Sequence, residues 1–307
     1  MLTYALKRLL TAIPTLWVLM TLAFFMMRAA PGGPFDTERS LPPEIERAMQ
    51  QQYHLDEPLL AQYARYLGGL LKGDLGPSFQ YAGYSVNELI ADGFPVSLTL
   101  GFWSLALALL LGSAVGMAAA LKQNQAADYG LMTLAMTGIS VPSYVVAPLM
   151  VLLFAVTLQW LPAGGWQAGR GSDLLMPVAA LALPQIAYVA RLMRGSMIET
   201  LRQNYIRTAR AKGLPLRVVL LRHALKPALM PVLSYLGPAA AGLMTGSVVV
   251  EQIFDLPGIG RYFVQAALNR DYTLVLGVVM FYGVLIIVFN FIVDLLYGWL
   301  DPRLRLA

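Results

Sequence analysis

Gly93-FPVSLTLGFWSLALALLLGSAVGMAAA-Leu121 runs for 29 residues without one Asp, Glu, Lys or Arg. A helix crosses the hydrocarbon of a bilayer with about 20 mostly apolar residues, so this segment is long enough to span it. Five other uncharged runs accompany it, at 9–27, 129–169, 174–190, 227–250 and 272–293. The usable part of 129–169 ends near Trp160-Leu161-Pro162. The composition agrees: 58% of the 307 residues are hydrophobic and 13% are charged, whereas soluble domains carry roughly 25% charged residues. The expected fold class is all-α, a polytopic membrane protein with six transmembrane helices.

Lys7 and Arg8 before the first run give it the look of a secretory signal. Its 19 uncharged residues exceed the ~7–15 of a signal core, and no A-x-A site follows, so it reads as a retained span. Six spans place both termini on one side. With the N-terminus inside, segments 1–8, 122–128, 191–226 and 301–307 hold 14 basic and 3 acidic residues, and the outside segments hold 8 basic and 13 acidic. Lys and Arg gather on the cytoplasmic side, so the expected orientation is N-in, C-in.

The outside segment 28–92 carries two helix-start signals, Ser40-Leu-Pro-Pro-Glu44 and Asp56-Glu57-Pro58. Leu59, Leu60, Tyr63, Leu67, Leu70 and Leu71 follow the second at helical spacing. Two short amphipathic helices are expected, on the outer membrane face or packed on the spans, closed by a turn at Gly73-Asp-Leu-Gly-Pro77. With no internal repeat or low-complexity linker, residues 1–307 form a single transmembrane domain in which 28–92 is an extracytoplasmic helical segment between spans 1 and 2. Prolines interrupt the third, fourth and fifth spans, at Pro142, Pro148, Pro177, Pro184, Pro231 and Pro238. Gly112-x-x-x-Gly116 and Gly242-x-x-x-Gly246 are the spacing at which helices pack closely.

Several chemistries are excluded. Without cysteine there is no disulfide, thiolate zinc site or thiol nucleophile. His54 and His223, the only imidazoles, fall on opposite expected faces, and neither H-E-x-x-H nor G-x-S-x-G occurs. The dipeptide Gly-Lys is absent, which excludes a Walker A loop. A proton- or ion-coupled carrier needs ionisable residues near the bilayer middle. Asp294, near the end of the last span, is the one candidate and reads as an interfacial or interhelical partner. Any pumping must therefore draw its energy from a partner.

Segment 191–226 holds nine basic residues and one acid. Ile198, Leu201, Tyr205 and Ala209 recur at steps of three and four, which reads as one helix. Gly213 suits the left-handed residue that ends it, with Pro215 beyond, and Val218, Val219, Leu221, His223 and Leu225 form a second run. This helix, glycine turn and second helix could dock a cytoplasmic protein. The same charge count fits a loop held to anionic lipid.

Arg207-Thr-Ala-Arg-Ala-Lys-Gly213 resembles the cytoplasmic E-A-A-x3-G loop of binding-protein-dependent ABC importer permeases. Ala209 and Gly213 match the second alanine and the glycine, while Arg207 and Thr208 replace the usual glutamate and first alanine. This form is similar to the peptide and nickel branch. Pro31-Gly-Gly-Pro-Phe35, Tyr53-His-Leu-Asp56, Gly73-Asp-Leu-Gly-Pro-Ser78, Phe94-Pro-Val-Ser97, Arg222-His-Ala-Leu-Lys-Pro227, Pro257-Gly-Ile-Gly260, Asn269-Arg-Asp-Tyr272 and Asp301-Pro-Arg303 follow in order along the chain. Together they resemble the B-type membrane subunit of oligopeptide ABC importers, in the binding-protein-dependent inner-membrane family.

The resemblance implies a non-catalytic permease subunit of the bacterial cytoplasmic membrane that binds no cofactor, with ATP and Mg on partner subunits. Implied partners are a second homologous permease, two cytoplasmic ATPases, an extracytoplasmic peptide-binding protein, the peptide substrate and membrane lipid, with no nucleic acid. Tyr205, Arg207, Thr208, Ala209, Lys212 and Gly213 are the expected coupling surface. Glu251, Phe254, Pro257, Gly258 and Gly260, in a re-entrant-looking stretch that ends at Asp271, are expected at an outer gate. Dipeptides, nickel chelates or glutathione-like solutes are alternative cargoes of the same architecture. A stand-alone carrier and an intramembrane hydrolase are the competing classes.

Overall fold

The structure, a computed structural model, describes residues 2–30, 32–34, 42–167 and 170–300. The Ser40 start signal, the ends of Pro31-Gly-Gly-Pro-Phe35 and the Asp301-Pro-Arg303 motif lie outside these residues. The chain begins with α1 (Leu2–Ala29), α2 (Pro43–Gln52), α3 (Leu59–Leu70) and α4 (Val86–Leu121). It continues through α5 (Ala126–Ser140), α6 (Ser143–Met150), a π-helical stretch Val151–Thr157, α7 (Ser172–Leu201) and α8 (Asn204–Ala211). Then come α9 (Leu216–Val218), a second π-helical turn Val219–Ala224, α10 (Leu225–Ala228), α11 (Met230–Met244), α12 (Val248–Ile253), α13 (Ile259–Leu268) and α14 (Tyr272–Leu300).

The helices outrun the uncharged segments that announced them. α4 starts at Val86 because Ser85 and Glu88 form a capping box: Ser85 Oγ accepts from Glu88 N at 3.2 Å and Glu88 Oε2 from Ser85 N at 2.8 Å. α7 continues eleven residues past 190, carrying Arg191, Arg194 and Glu199. An uncharged run marks where a helix can meet lipid, and the hydrogen-bond ladder extends until a cap ends it.

α2 and α3 are the two expected short helices, and α3 packs on the spans. Thr21 and Tyr63 share a hydrogen bond of 2.7 Å, and Phe24 meets Tyr63 edge-on at 5.3 Å. Tyr63, Tyr66, Leu67 and Leu70 close over a core of Met20, Phe24, Leu276 and Met280.

α4 and α7 form the central pair. A Cβ on Gly116 would lie 2.4 Å from Ala190 O, and one on Gly112 2.7 Å from Val189 Cβ, so this pair of glycines is a close-packing face. The second spacing works differently. Gly242 faces open space, and Gly246, at φ +95°, lies beyond the end of α11 and breaks the fifth run before α12.

The third run is also broken. α5 and the following helical stretch meet at 97° across Val141-Pro142, where proline lacks the N–H that would continue the ladder and holds its predecessor extended. Among the described residues, α1, α4, α7, α11 with α12, and α14 are long and apolar enough to cross a membrane. The count reaches six if the bent pair is one span.

Candidate functional site

The basic loop is built on the end of α7. Arg194 Nε and Nη2 donate to the buried Asp128 carboxylate at the start of α5, and Arg202 Nη2 donates to Gln123 Oε1 at 3.3 Å. α7 ends at Leu201, so Ile198 and Leu201 belong to it, while Tyr205 and Ala209 sit on the separate α8. The single helix expected from their spacing is two, interrupted at Arg202-Gln203.

α8 buries Ile206 and Ala209 in a cluster with Met193, Met197, Val219 and Leu220. That corrects the reading of Ala209: it anchors α8 to the chain's own core and presents no surface. Tyr205, Arg207, Thr208, Lys212 and Gly213 are exposed. Gly213 adopts φ +75°, as the turn requires.

Beyond it, Leu214, Leu216 and Leu221 are exposed too, and join Tyr205 and the basic side chains on one loop. Leu221 of the second run is exposed, and the stretch Val219–Ala224 is π-helical. Val219, Leu220 and Ala224 are the residues that face inward. His223 Nδ1 lies 3.3 Å from Val218 O.

At the other end of the fifth run, α12 and α13 form a short hairpin. Glu251 is 1% exposed, and its carboxylate accepts from Ser97 Oγ of α4 at 2.7 Å and from Gly260 N, in the first turn of α13, at 2.9 Å. Ser97 Oγ in turn accepts from Ile259 N at 2.9 Å. A buried carboxylate is thus matched to the donor-rich start of a helix and to a hydroxyl on a neighbouring span. Glycine is needed around it: a Cβ on Gly258 would sit 2.4 Å from the Glu251 carboxyl carbon, and one on Gly260 2.9 Å from Oε2.

Glu251, Gly258 and Gly260 are therefore one constellation. Phe254 is fully buried in a different cluster, with Val96, Leu100, Met176 and Leu256, and Pro257 is half-buried in the turn. Phe254 O accepts from Gly165 N at 2.8 Å, which seats the hairpin on the segment after the first π-helical stretch.

Two further groups were not singled out as site residues. Ser97 was visible only as the end of Phe94-Pro-Val-Ser97. Asp271, fully buried, accepts from Phe79 N at 3.0 Å, Gln80 N at 3.2 Å and Leu274 N at 3.0 Å, and also from Ser78 Oγ. It caps α14 and ties the loop before α4 to it. No group of three or more His, Asp or Glu able to hold a metal occurs among the described residues.

Residues 112–306 match the family described as "Binding-protein-dependent transport system inner membrane component", and residues 1–101 match the N-terminal family of such membrane components. The chain is 57% identical over 305 residues to the oligopeptide transport system permease protein OppB of Escherichia coli (strain K12), covering 99% of this chain and 100% of that one. OppB of Haemophilus influenzae is 54% identical over the same share of each. The dipeptide transport system permease protein DppB of Bacillus subtilis is 43% identical over 99% of this chain and 98% of that one. In fold, the chain is similar to the MetNI methionine ABC transporter in an inward-facing conformation, with a TM-score of 0.55 at 17% identity over 69% of this chain and 96% of that one.

Proposed function

The chain belongs to the family of binding-protein-dependent transport system inner membrane components, and we propose that it is the B-type permease subunit of an ATP-driven importer that translocates oligopeptides across the bacterial cytoplasmic membrane. The observation that carries this reading is 54–57% identity, end to end, to oligopeptide permease proteins. The dipeptide relative stands lower, at 43%.

On this reading both termini and the basic loop are cytoplasmic, residues 28–92 are extracytoplasmic, and residues 1–307 are one transmembrane domain. The working assembly adds a second homologous permease, two ATPases that hold ATP and Mg, and a peptide-binding protein. This chain does no hydrolysis and binds no cofactor. α8 is the coupling helix: its buried face, Ile206 and Ala209, fixes it to the spans, and its exposed face, with Tyr205, Arg207, Thr208 and Lys212, enters a groove on an ATPase. Exposed Leu214, Leu216 and Leu221 favour a protein partner over lipid phosphate as what covers this loop.

Closure of the ATPase pair then moves α8, and α7 with it, between two arrangements of the spans. Glu251, Ser97 and the glycines around them hold the outer hairpin on α4 and serve as its gate.

The test is uptake of labelled pentapeptide, dipeptide and nickel by a strain lacking only this chain, with and without the wild-type gene. Loss of pentapeptide uptake restored by the gene is the expected result. Unchanged pentapeptide uptake with loss of another solute would move the substrate assignment and keep the architecture.

A further inference from the structure

Where α1 ends and α14 begins, beside α3, a cavity of about 420 Å³ opens among Phe24, Arg28, Gln62, Tyr66, Lys72 and Phe79. Three of these residues hold buried polar atoms without a hydrogen-bond partner: Arg28 Nε, Gln62 Oε1 and the Tyr66 hydroxyl. Native structures leave few such groups unmade, and here three belong to residues around one space.

The charge is also unbalanced. The Arg28 guanidinium lies 5.2 Å from the Phe24 ring and 5.0 Å from that of Tyr272, with no carboxylate paired to it among the described residues. Lys72, exposed at the rim, has none either. The neighbouring acids are engaged: Glu57 by Arg65 and His54, and Asp74 by Gly76 N at 2.9 Å. Two cations, an unpaired phenol and an unused amide oxygen are the complement of an oxyanion that carries a polar substituent.

We propose that this cavity holds the headgroup phosphate of a membrane phospholipid. A guanidinium matches two phosphate oxygens at once, Lys72 adds a second charge, and the Tyr66 hydroxyl donates to the remaining oxygen. Gln62 Oε1 accepts from a headgroup hydroxyl. Arginine and aromatic side chains at the end of a span lie at the depth where headgroups sit. The cavity has the size of a headgroup rather than of a whole lipid.

The full-length chain is reconstituted in phosphatidylcholine nanodiscs containing a minor fraction of phosphatidylglycerol, then released and weighed intact by native mass spectrometry. The wild type should retain one phosphatidylglycerol that Arg28→Gln retains about tenfold more weakly, as loss of a charge-assisted contact predicts. Lys72→Gln, at the exposed rim where folding is untouched, should weaken it about threefold. Equal retention by the wild type and both variants overturns the proposal. So does protection of lipid-free wild type by inorganic phosphate or a pentapeptide, lost in Arg28→Gln, with no retained phospholipid.

Discussion

Arg194 grips Asp128 through two parallel hydrogen bonds, Nε to Oδ1 and Nη2 to Oδ2, each 2.6 Å long. Asp128 is fully buried and also accepts from Asn124 N at 2.9 Å, so the turn between α4 and α5 is locked to α7 about two turns before α7 ends. Asp128→Asn keeps the shape but leaves the guanidinium facing a neutral amide. The expected loss is about 2 kcal/mol, seen as a melting temperature in detergent lower by about 5 °C. Arg194→Gln combined with it should cost less than the two single losses summed. Strict additivity would mean that the two side chains do not act together.

Glycines in α4 and α7 predict opposite signs. Gly116→Ala places a methyl 2.4 Å from Ala190 O and must push the central pair apart, with a loss of about 2 kcal/mol. Gly195, inside α7, has open space at its Cβ position, so Gly195→Ala should gain about 0.5–1 kcal/mol from helix propensity alone. Thermal unfolding of the two variants side by side checks both signs.

Ser97→Ala removes the side chain that, among the described residues, joins Glu251 to α4 by a hydrogen bond. It leaves Glu251 Oε1 and Ile259 N without their bonds of 2.7 Å and 2.9 Å inside a packed region. A destabilisation of about 2 kcal/mol is expected, together with faster hydrogen exchange confined to α12 and α13. Exchange that rises evenly along the chain would place the loss elsewhere.

A Cβ at Gly213 would meet no atom within 4 Å, so the effect of Gly213→Val is expected to come from backbone conformation. A β-branched residue at φ +75° is strained by about 1–2 kcal/mol. Peptide uptake should fall while membrane insertion is unchanged. Gly213→Asn, which tolerates the left-handed region, should retain most of the uptake. Equal uptake by the valine variant and the wild type would remove this turn from the coupling pathway.

Much of this architecture was legible from charge and hydropathy. The spans follow from uncharged runs, α2 and α3 from helix starts and spacing, and the left-handed turn at Gly213 from a glycine two residues before a proline. What failed to show has a physical cause in each case. Hydropathy does not register a break such as Val141-Pro142 when both sides are apolar. Helical periodicity cannot anticipate the π-helical turn at Val219–Ala224, where Val219, Leu220 and Ala224 are buried and Leu221 is exposed. Ala209 matched a motif, and a motif does not say which face a small residue takes. Ser97 and Asp271 act through partners 154 and more than 190 positions away in sequence, so no local pattern announces them.

Asp271 gives the last span a mechanical role. Its carboxylate fastens the strand of chain at Ser78 to Gln80 onto the first turn of α14, and Thr273 Oγ1 adds a bond to Pro77 O. α14 then runs without a proline from Tyr272 to Leu300, a rod about 43 Å long at 1.5 Å per residue. A tug on that strand is delivered as a tilt of a stiff lever, and the far end of the rod swings.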